Sequence, residues 1–278
     1  MAASLARTNE VDGDSASSGG RLIRIIAPTL IGVLVLAGWE WTVREWQIPP
    51  YILPAPSQVA VELVNAWPTL WPSLLVTLKI AALSLAAAII GGGGLALLCS
   101  LSKWVELSVF PYAVILQVTP VVSIAPLILI YVDNTLAAVI LCAWIVAFFP
   151  VMSNTMLGLD SADHNLRNLF ELYRASRWQT LRFLRLPSAL PYFLGGLKIA
   201  GGLSLIGAVV AEYVAGTAGT GTGLAFRILE AQYRLNIPRM FAGLLLLALT
   251  GVAIFLLFSW LSWALLHRWH ESAVRREN

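Results

Sequence analysis

Apolar residues come in long, nearly unbroken runs, separated by short polar intervals. About 20 consecutive apolar residues are enough to cross a bilayer as a helix. The runs predict six such spans, at roughly Ile23–Val43, Ser73–Leu98, Val109–Tyr131, Thr135–Met156, Tyr192–Val214 and Met240–Leu266. Met1–Gly20 has no apolar period and is rich in Ser, Gly, Ala and acids. It is expected to be a disordered tail, with one membrane domain over residues 21–278.

The longest polar interval after that tail, Asp160 to Pro191, has a period of its own. Leu166, Leu169, Phe170 and Tyr173 fall at i, i+3, i+4 and i+7, one face of a helix. Trp178, Leu181 and Leu184 suggest a second short helix, stopped by Pro187. The stretch also carries Arg167, Arg174, Arg177, Arg182 and Arg185, a charge that lipid does not accommodate. Two amphipathic helices outside the bilayer form either a docking surface or an ordinary loop folded onto the membrane face.

Composition agrees with a membrane solvent. Of 278 residues 58% are hydrophobic and 12% charged, with a mean hydropathy of +0.78. Soluble domains are about 25% charged. The net charge of +3 therefore bears on sidedness and gives no reason to expect nucleic acid. With an inward amino end, the inner segments hold 12 Lys and Arg and the outer ones 4, leaving Lys79 and Lys198 within spans. Both termini and the 160–190 loop are thus expected in the cytoplasm. Cys99 and Cys142 lie in apolar runs without disulfide or metal spacing and read as small core residues.

Several positions within the spans carry information. Trp39, Trp41 and Trp46 mark an interfacial belt, and Pro49 to Pro56 forms an extended connector after which Ser57 could cap a short helix. Gly91–Gly94 is followed by Leu95-Ala96 where a phosphate loop needs Lys and Ser/Thr, so close helix packing is expected there. The glycines of the fifth span, Gly195, Gly196, Gly201, Gly202 and Gly207, predict the same. Pro111, Pro120 and Pro126 interrupt the third span, as a broken helix lining a pathway or as a kinked packing helix. Thr119, Pro120, Ser123 and Asn134 are the pathway candidates.

Residues Leu53-Pro54-Ala55-Pro56-Ser57, Phe148-Phe149-Pro150, Leu186-Pro187-Ser188-Ala189-Leu190-Pro191 and Gly207-Ala208-Val209-Val210-Ala211-Glu212-Tyr213 carry a resemblance over roughly Tyr51 to Glu230. The chain resembles the permease subunits of bacterial ATP-binding-cassette importers, the binding-protein-dependent inner-membrane component family. It is most similar to the nitrate, sulfonate and taurine branch, which includes riboflavin and thiamine-precursor permeases.

The resemblance implies an all-α inner-membrane subunit that moves a small polar or organic solute. It implies a coupling helix that docks in a cytoplasmic ATPase dimer, through Glu171, Leu172, Tyr173, Arg174, Ala175, Ser176, Arg177 and Pro187. It further implies a periplasmic substrate-binding protein and a second permease copy, as a homodimer. ATP and magnesium would belong to the ATPase, since no Walker A motif is present here. One departure stands out: the family's usual glycine before Ala-Ser is Arg174, which either takes an αR turn or meets the ATPase by charge. The competing expectation is an ion-coupled secondary transporter or channel, using Glu40, Asp133 or Glu212 near span ends.

Overall fold

The computed structural model describes residues 19–216 and 221–267. Most of the expected amino-terminal tail, the carboxy-terminal basic tail from Arg268 and part of the Gly216–Gly223 loop lie outside the described residues. Gly19 and Gly20 belong to a helix, so the tail is shorter than residues 1–20.

Among the described residues the regular structure is helical. The chain runs through α1 (Gly19–Glu45), α2 (Pro56–Asn65), α3 (Trp67–Leu101), α4 (Lys103–Val118), α5 (Val121–Tyr131), α6 (Thr135–Asp160), α7 (His164–Leu172), α8 (Arg177–Thr180), α9 (Leu186–Ala215), α10 (Leu224–Tyr233) and α11 (Ile237–Leu266). α1, α3, α6, the continuous helix from Arg177 to Ala215, and α11 are long and apolar enough to cross a membrane. α3 and α6 extend beyond the expected limits by several residues at one or both ends.

The third expected span is two helices, α4 and α5, bent by 102°. Pro120 causes the break: it stands at the N-cap of α5 with φ −67° and ψ 113°, after Thr119 has ended α4. Neither half is long enough to span alone. Together they still connect opposite faces. At one end, Arg185 joins the carboxy-terminal ends of α3 and α6, through Ser100 and Asp160. At the other, Glu212 of α9 meets Thr77, in the first turns of α3, and lines a small cavity with Thr135, the first residue of α6. α3 and α6 therefore run parallel, and α4 with α5 must cross between them, making six crossings.

Close approach of α6 and α9 forms the centre. Cβ atoms built at Gly158, Gly196 and Gly207 would stand 2.8 Å from Ala189 Cα, Asn154 Cβ and Ala143 Cα. Gly92 of α3 packs likewise on the backbone of Phe148 and Met152. In lipid, where burial of apolar surface gains little, such contact supplies the attraction between helices. Gly195 and Gly202 depart from the expectation: nothing among the described residues lies within 4 Å of their Cβ positions, and they face outward. Cys99 and Cys142 are buried in separate packing clusters.

α1 is an outlier, with most of its apolar side chains from Ile26 onward exposed and Val43 buried. It is held by a polar clasp at its end. Glu40 Oε1 accepts from Ser57 Oγ at 2.8 Å and Arg44 Nε at 2.6 Å, and Glu40 Oε2 accepts from Ser57 N at 3.0 Å. Trp39 adds a ring contact with Phe241, centroids 5.8 Å apart. Ser57 therefore does not cap α2, as expected from sequence. α2 starts two residues earlier, at Pro56 with Ala55 as its cap, and Gln58 Oε1 accepts from the Ala55 N–H at 3.0 Å.

Candidate functional site

The interval between α6 and α9 builds a rigid elbow. Asp163 caps α7, its carboxylate accepting from Asn165 N at 2.7 Å and Leu166 N at 3.3 Å. α7 then runs nine residues without a buried side chain. Its end is a Schellman turn: Arg174 N donates to Glu171 O and Ala175 N to Phe170 O, both at 2.9 Å. Arg174 occupies the left-handed position of that turn with φ +52°. Of the two readings open for this residue, the αR turn is thereby excluded. Ser176 caps the next helix, its hydroxyl accepting from Gln179 N at 3.3 Å while Gln179 Oε1 accepts from Ser176 N at 2.8 Å.

Pro187 does not stop this helix, contrary to the pattern reading. Residues Leu181–Arg185 widen into a π turn in which Leu186 N reaches Leu181 O. That extra residue per turn lets the chain pass the proline ring without the usual clash, so α8, the π turn and α9 make one helix. The elbow is thus one short helix hinged on one long one.

Two arginines fix the elbow to the bundle. Arg185 Nη1 donates to Ser100 O and Nη2 to Asp160 Oδ1, both at 2.9 Å. Arg167 Nη2 donates to Asp160 O at 2.6 Å. These groups satisfy carbonyls at the ends of α3 and α6, which no helical N–H reaches. The side chain of Arg174 makes no hydrogen bond or ion pair within the described residues, and Arg174, Arg177 and Arg182 are exposed.

The apolar face of the elbow is uncovered. Leu172 and Tyr173 are each 79% exposed, and Leu166 and Leu169 of the same face are also exposed. Trp178, 63% exposed, and Phe183 extend the apolar surface onto the second helix. Neither was among the site residues expected from sequence, although the spacing had placed Trp178 on a helix. Ala175 is half-buried and lines an open hollow with Glu171, whereas Leu172 and Tyr173 do not line it. Ser176 is occupied as a cap and Pro187 lies exposed on the helix beyond the π turn.

The expected pathway residues separate into two groups. Thr119, Pro120 and Ser123 meet at the bend, where Thr119 Oγ1 donates to Ile115 O at 2.7 Å and Ser123 N to Pro120 O at 2.9 Å. Asn134 lies beyond the far end of α5, roughly 16 Å of helix away, and caps α6 by accepting from Ala137 N at 3.0 Å. In α4 and α5 the charged residues are Lys103 and Glu106, paired at 2.7 Å at the start.

Three acids could have coupled an ion. Glu40 belongs to the α1 clasp and Asp133 is exposed. Glu212 is buried, at 5% exposure. Its carboxylate receives the Thr77 hydroxyl at 2.8 Å and Ala225 N at 3.1 Å, while Thr77 Oγ1 accepts from Leu224 N at 2.8 Å. Glu212 thus holds the amino end of α10 against α3. The carboxylate packs directly on Gly223, where a Cβ would collide with it.

The architecture is that of an all-helical, multi-pass membrane protein with a rigid extramembrane elbow between its fourth and fifth crossings. The chain belongs to the family described as binding-protein-dependent transport system inner membrane component, whose model matches residues 84–269. It is similar to the riboflavin transport system permease protein of Chloroflexus aurantiacus, 33% identical over 86% of this chain and 88% of that one. It is also similar to the formylaminopyrimidine transport permease protein of Halalkalibacterium halodurans, 31% identical over 84% of this chain and 91% of that one. Weaker matches include permeases named for taurine and nitrate. A solved structure described as an amino acid ABC transporter with histidines shares the fold, with a TM-score of 0.60, 18% identity, and 73% of this chain and 94% of that one covered. The protein is therefore a permease subunit of an ATP-binding-cassette importer, and works with an ATPase and a substrate-binding protein.

Proposed function

We propose that the elbow is the coupling element: α7 seats in a groove of a cytoplasmic ATPase and transmits its closure to α6 and α9. The observation that carries this reading is the uncovered apolar face of α7, with Leu172 and Tyr173 as anchors, on a base clamped by Arg185. A helix laid into a groove binds through such apolar anchors. Leu172, Tyr173 and Trp178 carry the contact, Glu171, Arg174 and Arg177 stand at its rim, and Ala175, Ser176 and Pro187 shape the element. The clamp makes the lever stiff, so ATPase closure would tilt the spans and alternate access to the pathway. The ATP and magnesium belong to the ATPase.

The loop and both chain ends then face the cytoplasm of a bacterial inner membrane, as the excess of arginine on this side favours. A second copy of the permease completes the pathway. The outward face of α9, with Gly195, Ile199, Gly202 and Ile206, is the surface that supports such pairing. For the solute we favour an uncharged organic compound of vitamin-precursor type. The bend offers hydroxyls at Thr119 and Ser123 and no unpaired charge to hold a free anion.

The test is recovery of the ATPase with the permease from membranes containing equal amounts of each variant. Tyr173→Asp, placed outside the bilayer, should insert normally and lose most ATPase recovery and ATP-driven uptake. Full recovery with Tyr173→Asp would remove α7 from the interface.

A further inference from the structure

The elbow also borders a hollow, whose lining includes Glu171, Ala175 and Arg177 of the coupling element. Between α7, α8 and the end of α3 lies a cavity of about 340 Å³. That is within the range of small-ligand sites, about 300–1,000 Å³. Arg167, Arg177 and Arg185 all line it, with Glu171, Ser100 and Leu101. A neighbouring cavity of about 220 Å³ shares Ser100, Leu101 and Arg185 with it.

The charges leave a definite excess. Arg185 is paired with Asp160 at 2.9 Å, and Arg167 is 4.0 Å from the same carboxylate. Three guanidinium groups are therefore set against two carboxylates, Asp160 and Glu171. The remaining positive charge faces the cavity. Arg167 Nε is buried and has no hydrogen-bond partner among the described residues. A buried donor of that kind is costly unless something accepts from it. Arg177, exposed at the start of α8, forms no ion pair among the described residues.

The surroundings are amphipathic. Leu101 lines the cavity, and Leu98, one turn earlier on the same face of α3, is exposed with it. Trp104, just beyond, is 83% exposed. This is where α3 leaves the membrane, so a polar basic hollow opens beside surface that contacts acyl chains. Basic pockets at this depth accept phospholipid headgroups. An excess of one positive charge suits a phosphodiester monoanion better than a phosphate monoester, which carries about −1.5 to −2.

We propose that this cavity binds the phosphodiester headgroup of an anionic phospholipid, with Arg177 and Arg167 donating to the phosphate oxygens and Leu98 and Leu101 receiving its chains. Only the assignment to the cytoplasmic leaflet rests on the sidedness proposed above.

The experiment uses the full permease purified without its ATPase, so that its outcome is independent of coupling. Binding of dioleoylphosphatidylglycerol, dioleoylphosphatidylcholine and inorganic phosphate is measured by native mass spectrometry and thermal shift. We expect tight retention of phosphatidylglycerol, little of phosphatidylcholine, and no displacement by millimolar inorganic phosphate. Arg177→Gln should weaken phosphatidylglycerol binding about tenfold, as loss of a charge-assisted contact does. Arg182→Gln, equally exposed five residues along but outside the cavity, should leave it unchanged. Equal binding of the two lipids, an equal loss in Arg182→Gln, or displacement by free phosphate would each overturn the proposal.

Discussion

Thr77 Oγ1 lies 2.8 Å from Glu212 Oε1, although 135 residues separate them in the chain. Both side chains are buried, one at the start of α3 and one at the end of α9. The same pair receives the Leu224 and Ala225 N–H groups, the first free donors of α10. Three elements on the face opposite the elbow are therefore joined through one carboxylate and one hydroxyl.

Glu212→Ala should destabilise the protein by about 1–3 kcal/mol, because it leaves the Ala225 N–H buried without an acceptor and the Thr77 hydroxyl with Ser73 O alone, at 3.3 Å. Glu212→Gln keeps the shape and one acceptor and should cost less. Thermal unfolding in detergent separates the variants. An alanine variant as stable as the parent would show that the pair holds nothing.

The α6–α9 contact makes a contrast between two glycines of one helix. Gly207→Val would force side-chain atoms against the Ala143 backbone, and overpacking of this kind costs about 1–3 kcal/mol. Gly202→Ala meets nothing among the described residues and should leave the stability of the monomer unchanged. Equal behaviour of the two in thermal unfolding would contradict the packing described here.

The six crossings and the amphipathic α7 were legible because periodicity is a local property, and lipid enforces it strictly. Which glycines pack was not legible. Gly201 and Gly202 are neighbours, yet one faces Phe258 and the other faces outward, and only the rotation of α9 decides this. Pro187 misled because the remedy, a π turn, lies in the residues before it and has no signature of its own. Glu212 was seen, but its partners Thr77 and Ala225 are named by tertiary contact alone. Within the elbow, spacing placed Tyr173 on the apolar face, and the family resemblance pointed to Leu172. Neither could show that Ala175 lines the hollow or that Arg167 and Arg185 serve as clamps.

Acid should loosen the α10 region through Glu230. The hydrogen bond from Arg227, at 2.8 Å, with the nearby charges of Arg234 and Arg239, holds this carboxyl below the usual glutamate range. A group with a depressed folded value stabilises above its unfolded pKa, and that contribution disappears as pH falls through the folded value. The parent should therefore lose more stability than Glu230→Gln between about pH 6 and about pH 3. Parallel pH profiles of thermal unfolding would exclude Glu230 as a source of acid sensitivity.

Arg174 offers the sharpest test of the elbow. Its left-handed backbone closes the Schellman turn, and a residue with a Cβ carries about 1–2 kcal/mol of strain there that glycine does not. The side chain has no hydrogen bond or ion pair among the described residues to offset that cost. Arg174→Gly should therefore slow amide exchange in α7 by relieving the turn, and leave ATPase recovery within about twofold of the parent, since the apolar anchors Leu172 and Tyr173 are untouched. Arg174→Val should act oppositely, because a β-branched residue tolerates this conformation least, and should speed exchange while leaving the spans intact. The measurement is hydrogen exchange of the α7 amides in the purified permease, paired with ATPase recovery from membranes. Faster exchange in Arg174→Gly would show that the turn does not limit the elbow. Loss of ATPase recovery with a well-protected α7 would instead assign the guanidinium to a specific acidic partner on the ATPase.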